Sequence, residues 1–338
     1  MRILMATDAW RPQVNGVVNT LERLTQTLAP MGVEFDFLTP DKYRTLPVPT
    51  YPEIRLALTT GGQVGRTIDA AKADHVHIVT EGPLGILARR HCMRVGRPFT
   101  TSYHTRFPEY VSARVPVPER WVYGWLRDFH NAATATLVPT QSMADELAKR
   151  GFTKLRPWTR GVETDFFRPD RRRKRDFPGP IFLSVGRVAV EKNLEAFLSL
   201  NLPGSKVIVG DGPELARLKA KHPDAHFLGY QPREQLADFY ASADVFVFPS
   251  RTDTFGNVII EALASGTPVA AFPVTGPIDI VGDGIGGVCS EDLREACLKA
   301  LDISRDEARQ KASRYTWRAC AEQFMAAVNE AYPQKAAA

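Results

Sequence analysis

A chain of 338 residues with 44% hydrophobic and 24% charged residues is too long for one ordinary domain and carries enough apolar material for two cores. No apolar run reaches the roughly 18–20 residues of a membrane span, Met1–Asp8 reads as a buried strand ending in an acid rather than a secretory signal, and the scattered cysteines Cys92, Cys289, Cys297 and Cys320 argue against a disulfide framework or zinc site, with a reducing compartment as the default. The net charge of +5 is uneven: residues 1–165 hold 21 Lys/Arg against 16 Asp/Glu, residues 166–178 six against two, and residues 179–338 16 against 20, so the first half suits an anionic partner such as a phospholipid surface or nucleic acid.

Strands are expected at Ile3–Thr7, Glu34–Leu38, His75–Val79, Phe99–Ser102 and Thr134–Val138, with helices such as Val17–Ala29, Pro83–Val95 and Gln141–Arg150 between them. The rhythm breaks at Arg168–Pro178, where prolines bracket like charges and a basic interdomain linker is expected. It resumes with strands at Pro180–Val185, Lys206–Val209, His226–Leu228, Asp244–Phe248 and Pro268–Phe272, separated by Leu194–Leu200, Pro213–Lys221, Gln235–Ser242 and Val258–Ser265. Apolar strands alternating with helices imply parallel sheets covered on both faces. The expected division is one Rossmann-like domain at 1–166, the linker at 167–178, a second such domain at 179–316, and a helix at 317–338 crossing back to the first domain, with Gln334–Ala338 frayed. Ligands of such α/β domains bind beyond the carboxyl ends of the strands, so a cleft lined by post-strand loops is expected.

Four segments carry chemistry. Asn15-Gly16 opens a helix after the first strand, where backbone N–H groups and the helix dipole favour a phosphate; no GxGxxG is present, which argues against a dinucleotide dehydrogenase. His104 follows an apolar strand and can donate to a sugar hydroxyl or carbonyl. Gly186-Arg187 and Glu191-Lys192 follow the first strand of the second half; two fixed cations there can neutralise a departing diphosphate in place of a metal. Asp253-Thr254-Phe255-Gly256-Asn257 precedes a helix whose apolar run holds Glu261, a carboxylate that demands hydrogen-bond partners, which ribose hydroxyls would supply.

Together with Glu81-Gly82-Pro83-Leu84-Gly85 and Gly210-Asp211-Gly212-Pro213, these segments resemble retaining glycosyltransferase family 4, of the GT-B fold: two Rossmann-like, doubly wound parallel-sheet domains facing across a cleft. The wording Thr252–Asn257 is similar to the branch holding sulfoquinovosyl-, mannosyl- and glucosyl-transferases that act on lipids. The resemblance implies that 1–166 binds the acceptor and 179–316 the nucleotide sugar, with Gly16 by the donor phosphates, His104 near the donor sugar, Arg187 and Lys192 on the diphosphate and Glu261 on ribose. It also implies retention of configuration, with the leaving diphosphate helping to deprotonate the acceptor. Asp253 departs from the family's Glu-x7-Glu pair, which shortens that side chain by about 1.5 Å and loosens its contact with the sugar. Only Glu163-Thr164-Asp165 approaches a DxD triplet, so no essential metal is expected and the nucleotide sugar is a co-substrate.

For the acceptor, Trp121, Val122, Trp125, Leu126 and Phe129 fall on one helical face flanked by Arg120 and Arg127, and Arg89, Arg90, Arg94 and Arg97 form a second basic group. Either they seat the protein on an anionic leaflet beside a lipid acceptor, or the helix packs inward. The expectation is a peripheral enzyme on the cytosolic face of a membrane. It would move a hexosyl or uronosyl group, from a UDP-linked donor first, to a glycerolipid. GDP-mannose-dependent transfer to a lipid or glycan, a nucleotide-sugar epimerase and a non-catalytic nucleotide-sugar-binding scaffold are the alternatives; a nucleic-acid binder is disfavoured because no such module is present.

Overall fold

The structure, a computed structural model, describes residues 1–11, 16–48, 51–112 and 117–332. Two compact units emerge, Met1–Arg160 with Trp317–Ala338, and Gly161–Thr316. Each is organised around one six-stranded sheet whose strand pairings are all parallel.

In the first unit the strands are β1 (Arg2–Ala6), β2 (Glu34–Leu38), the ribbon β3 (Arg44–Val48) and β4 (Tyr51–Leu58), then β5 (His75–Ile78), β6 (Thr100–Ser102), β7 (Ala135–Val138) and β8 (Leu155–Pro157). The sheet order is β2-β1-β5-β6-β7-β8, with β3 and β4 pairing antiparallel on their own. That ribbon departs from the regular strand–helix alternation of the sequence; Pro47 and Pro52 mask its pattern. The helices are α1 (Gly16–Leu28), α2 (Gly61–Ala70), α3 (Pro83–Arg94), α4 (Phe107–Ser112), α5 (Glu119–Asn131) and α6 (Gln141–Lys149). Thr60 and Thr140 start α2 and α6 by accepting the N–H groups of Gln63 and Met143, satisfying donors that no helical carbonyl can reach. β5 and β7 are buried along their whole length because helices cover both faces of the sheet.

The second unit contains β9 (Ile181–Val185), β10 (Ser205–Val209), β11 (His226–Phe227), β12 (Val245–Phe248), β13 (Val269–Ala271) and β14 (Gly287–Cys289), ordered β11-β10-β9-β12-β13-β14. Its helices are α7 (Leu194–Leu198), α8 (Leu215–Lys221), α9 (Arg233–Ser242), α10 (Asn257–Ala264), α11 (Pro277–Val281), α12 (Leu293–Ala300) and α13 (Arg305–Ala312). The basic segment Arg168–Pro178 lies within this unit and is bound to it: Arg171 Nε meets Asp238 Oδ1 at 2.8 Å, Arg172 meets Asp244 at 3.0 Å, and the Arg175 guanidinium lies 4.0 Å from the centre of the Phe239 ring. Arg171, Arg172 and Arg175 are therefore matched by acids and an aromatic face instead of standing in a bare strap.

The last helix, α14 (Trp317–Ala331), packs in the first unit against α1. Cys320, Ala321, Phe324, Ala327 and Val328 recur at helical spacing and bury against Leu21, Leu24 and Trp158. Trp158 donates its indole Nε1–H to the Cys320 carbonyl at 3.0 Å, tying the end of β8 to this helix. The tail Gln334–Ala338 lies outside the described residues.

Candidate functional site

In the second unit β9 has β10 on one side and β12 on the other, so the chain's crossovers reverse direction there, and the loops after β9 and β12 diverge at the carboxyl edge of the sheet. Those loops hold Gly186–Asn193 and Pro249–Gly256, the two richest segments of the sequence. They are stitched together: Asn193 donates its Nδ2 to the Pro249 carbonyl (3.0 Å), while the Ser250 and Thr252 hydroxyls donate to the Glu191 carbonyl (3.2 and 3.4 Å). The consequence is that Lys192 Nζ sits 2.6 and 2.9 Å from the two carboxylate oxygens of Asp253. The cation expected for the diphosphate and the acid expected for the sugar thus neutralise each other.

The loop after β10 props this arrangement from below. Val188 N–H donates to Asp211 O at 2.8 Å, and a Cβ on Gly210 or Gly212 would stand 1.8 Å from the Gly186 carbonyl oxygen or 2.3 Å from that of Val188. Gly210-Asp211-Gly212 is therefore a backbone-to-backbone contact that no side chain permits. It fixes the Gly186–Val188 turn, which presents Arg187 exposed at the sheet edge.

Gly256 enters α10 with φ +90°, and Phe255 is buried with its ring against Tyr315 at 6.0 Å between centroids. Together they hold the Thr254–Asn257 turn at the head of the helix. One turn on, Glu261 accepts a 2.9 Å hydrogen bond from the Tyr240 hydroxyl of α9. Burial raises its pKa from 4.5 to about 7; the Tyr240 hydrogen bond and then the Arg233 charge oppose that rise. The carboxylate expected to need ribose has found a protein partner for one oxygen, Oε2. Glu163, of the loose DxD triplet, forms an ion pair with Arg233, whose guanidinium also stacks 3.9 Å above Phe166. Among the described residues no three His, Cys, Asp or Glu side chains gather as a metal site.

In the first unit Gly16 begins α1, and Asn15 lies outside the described residues. Asp8, at the end of β1, is buried and accepts the N–H groups of Leu84 (2.9 Å) and Gly85 (3.3 Å) and the Thr80 hydroxyl (3.0 Å). A Cβ on Gly82 would stand 2.5 Å from the Asp8 carboxylate, and one on Gly85 1.8 Å from the Thr80 carbonyl oxygen. Glu81–Gly85 is thus the packed start of α3, with Asp8 as its cap. His104 follows β6, and its Nδ1 lies 3.2 Å from Arg160 Nη2. Burial, and next the Arg160 charge, push its pKa well below the ordinary histidine value, so the ring is neutral.

The face of α5 divides. Val122, Leu126 and Phe129 are buried, whereas Trp121 and Trp125 are 65% and 42% exposed beside exposed Arg120 and Arg127. Arg90 and Arg94 are exposed on α3, Arg94 within 3.0 Å of His91 Nδ1. Arg89 is turned to a different use: it donates to the Asp128 and Phe129 carbonyls at 2.8 and 3.1 Å, closing the C-terminal end of α5. Among the described residues no helix is long and apolar enough to cross a membrane. Two residues of consequence escaped the sequence reading, Tyr240 and Arg160, because an aromatic inside a helix and an arginine after a short strand carry no local signal.

Residues 14–166 match the family described as Glycosyltransferase Family 4, and residues 179–304 match Glycosyl transferases group 1. A GDP-mannose-dependent alpha-mannosyltransferase of Mycobacterium tuberculosis is 32% identical over 83% of this chain and 81% of its own length. An alpha-monoglucosyldiacylglycerol synthase of Streptococcus pneumoniae is 26% identical over 98% of this chain and 85% of its own. Among solved structures, sucrose-phosphate synthase of Thermosynechococcus elongatus shares the fold with a TM-score of 0.74 at 20% identity, covering 96% of this chain and 97% of the other. Two parallel-sheet units, post-strand loops carrying Gly186–Lys192 and Asp253–Glu261, and these likenesses converge: the chain belongs to glycosyltransferase family 4 and is a glycosyltransferase of the GT-B fold.

Proposed function

We propose that this glycosyltransferase moves a hexosyl or uronosyl group from a nucleoside-diphosphate sugar, UDP-linked, to a membrane glycerolipid, with retention of configuration and without an essential metal, as a peripheral enzyme on the cytosolic face of the membrane. The observation that carries the reading is the pairing of Lys192 with Asp253 on loops stitched across the β9/β12 reversal, with Arg187 on the same loop. As the donor binds, its diphosphate takes the place of Asp253 as the partner of Lys192. As the bond from the anomeric carbon to the diphosphate oxygen breaks, Lys192 and Arg187 take up the negative charge that builds there. The acceptor hydroxyl attacks the same face of the sugar and passes its proton to the leaving phosphate oxygen. Glu261 holds the ribose through the carboxylate oxygen that Tyr240 does not occupy, and the Thr254–Asn257 turn offers N–H groups to the phosphates.

Support for a lipid acceptor comes from the diacylglycerol product named for the Streptococcus pneumoniae relative and from the exposed Trp121–Trp125 pair flanked by arginines on α5. A GDP-mannose donor is the second reading, favoured by the Mycobacterium tuberculosis relative at 32% identity.

The test is a donor panel of UDP-glucose, UDP-glucuronate, UDP-sulfoquinovose and GDP-mannose, each with and without diacylglycerol vesicles and EDTA. Products are read by mass spectrometry and the anomeric centre by NMR. Acceptor-dependent release of nucleoside diphosphate with an α-linked glycolipid, unaffected by EDTA, is expected. Replacing both Arg187 and Lys192 with Ala lowers kcat by at least about 10²–10³-fold. Donor binding without turnover under every condition would leave only a binding scaffold, and undiminished turnover in the folded double variant would refute the charge argument.

A further inference from the structure

Arg160 ends the first unit almost fully buried, at 4% exposure, and no carboxylate pairs with it among the described residues. A guanidinium in that position is costly unless its donors are directed. Here three of its five N–H donors are directed: Nη1 donates to the carbonyls of Trp158 (2.7 Å) and Thr159 (3.2 Å), and Nη2 points at His104 Nδ1 from 3.2 Å, while the charge lies 4.4 Å from the centre of the Trp158 ring. The indole beneath it is itself pinned, by its bond to the Cys320 carbonyl and by packing 5.6 Å from the Phe324 ring, so α14 sets Trp158 and Trp158 sets Arg160.

Chemistry then fixes the ring. A guanidinium has donors only, and a histidine nitrogen that faces one must offer its lone pair. Nδ1 of His104 is therefore the acceptor, and in a neutral ring the proton resides on Nε2. We infer that Arg160 is a positioning residue for sugar transfer: its hydrogen bond locks His104 as the Nε2–H tautomer, so that the ring offers a donor, never an acceptor, to an oxygen of the bound sugar. The inference rests on the contact of His104 with the donor sugar that the family resemblance implies. It explains why a buried cation is retained without a counterion, since a neutral residue of similar shape would leave the tautomer to chance. It also gives α14 a functional consequence, because displacing that helix would release the indole on which the guanidinium lies.

The full-length protein, labelled with ¹⁵N-histidine, reads the tautomer directly in long-range ¹H–¹⁵N correlation spectra, with His104 assigned by loss of its signals in His104→Asn. Wild type and Arg160→Lys should show Nε2–H alone, and Arg160→Met a mixture or the Nδ1–H form. In parallel, Arg160→Met should lower kcat at least about tenfold, as expected when a group orienting a catalytic ring is lost, with the Kd for nucleoside diphosphate within about twofold of wild type; Arg160→Lys should recover most of the loss. A wild-type spectrum with the proton on Nδ1, or on both nitrogens, overturns the proposal even if Arg160→Met fails to fold. So does a folded Arg160→Met with wild-type kcat. Wild-type turnover in His104→Asn would instead sink the sugar contact on which the proposal rests, leaving the spectra to report the tautomer by themselves.

Discussion

Replacing Glu261 with Gln separates what this carboxylate costs the fold from what it contributes to the nucleotide. Burial raises its pKa from 4.5 to about 7, against the opposing hydrogen bond of Tyr240 and charge of Arg233, both from α9. The folded protein therefore holds the proton more tightly than the unfolded chain does. Stability from the neutral form is complete below pH 4.5 and is lost as pH rises through about 7. Two and a half pKa units correspond to at most about 3 kcal/mol lost by pH 8, against about 1 kcal/mol at pH 5. Glutamine keeps the shape and an acceptor for the Tyr240 hydroxyl but never ionises. Without nucleotide, Glu261→Gln should therefore melt a few degrees above wild type at pH 5 and by roughly three times that margin at pH 8, since about 1 kcal/mol moves Tm by roughly 2–4 °C in a folding unit of about 150 residues. Calorimetric scans at pH 5, 6, 7 and 8 give the first readout. Titration with nucleoside diphosphate gives the second: wild-type affinity should fall toward tenfold for each pH unit below 7, whereas the variant should bind more weakly and with a flat profile. A difference in Tm that is the same at pH 5 and pH 8 would show that Glu261 does not titrate as its burial requires.

Asp253→Asn removes the counterion of Lys192, and nucleoside diphosphate should bind tighter by about 1 kcal/mol, the scale of a partly exposed ion pair; isothermal titration giving equal or weaker binding would remove Lys192 from the phosphate contact. Gly210→Ala drives a methyl into the Gly186 carbonyl oxygen and should cost several kcal/mol of stability, as overpacking against backbone does, read as a lower midpoint in urea. Replacing Trp121 and Trp125 together with Ser should weaken co-sedimentation with vesicles containing phosphatidylglycerol while leaving Tm within about 2 °C, since exposed side chains carry little stability. Undiminished co-sedimentation would assign membrane contact to another surface.

Parallel strands announce themselves as apolar runs that helices must cover, which is why β1, β2, β5 and β12 can be read from the chain to within a residue or two. The strands that escape are those whose pairing comes from tertiary contact alone: β8 and β14 are three residues each, and β3–β4 carries prolines yet forms because two edges find each other. The candidate site divides along the same line. Its cations and acids stand out because they fall in the loops that follow apolar strands, where sheets of this kind bind their ligands. Which of them face one another is invisible, since Lys192 reaches Asp253 across 61 positions and Tyr240 reaches Glu261 across 21. The same reasoning separates the arginines. Arg89 looks like a surface cation beside Arg90, yet one is spent on the carbonyls that end α5 and the other is exposed, a distinction made by which side of α3 meets the end of α5. Arg160 is the sharpest instance. Nothing in Trp158-Thr159-Arg160-Gly161 marks it, because its meaning depends on an indole held by the last helix and a histidine 56 positions earlier. A sequence can therefore disclose which atoms a transferase has at its disposal. The protonation state and orientation in which it uses them are set by residues that, read alone, look like ordinary packing.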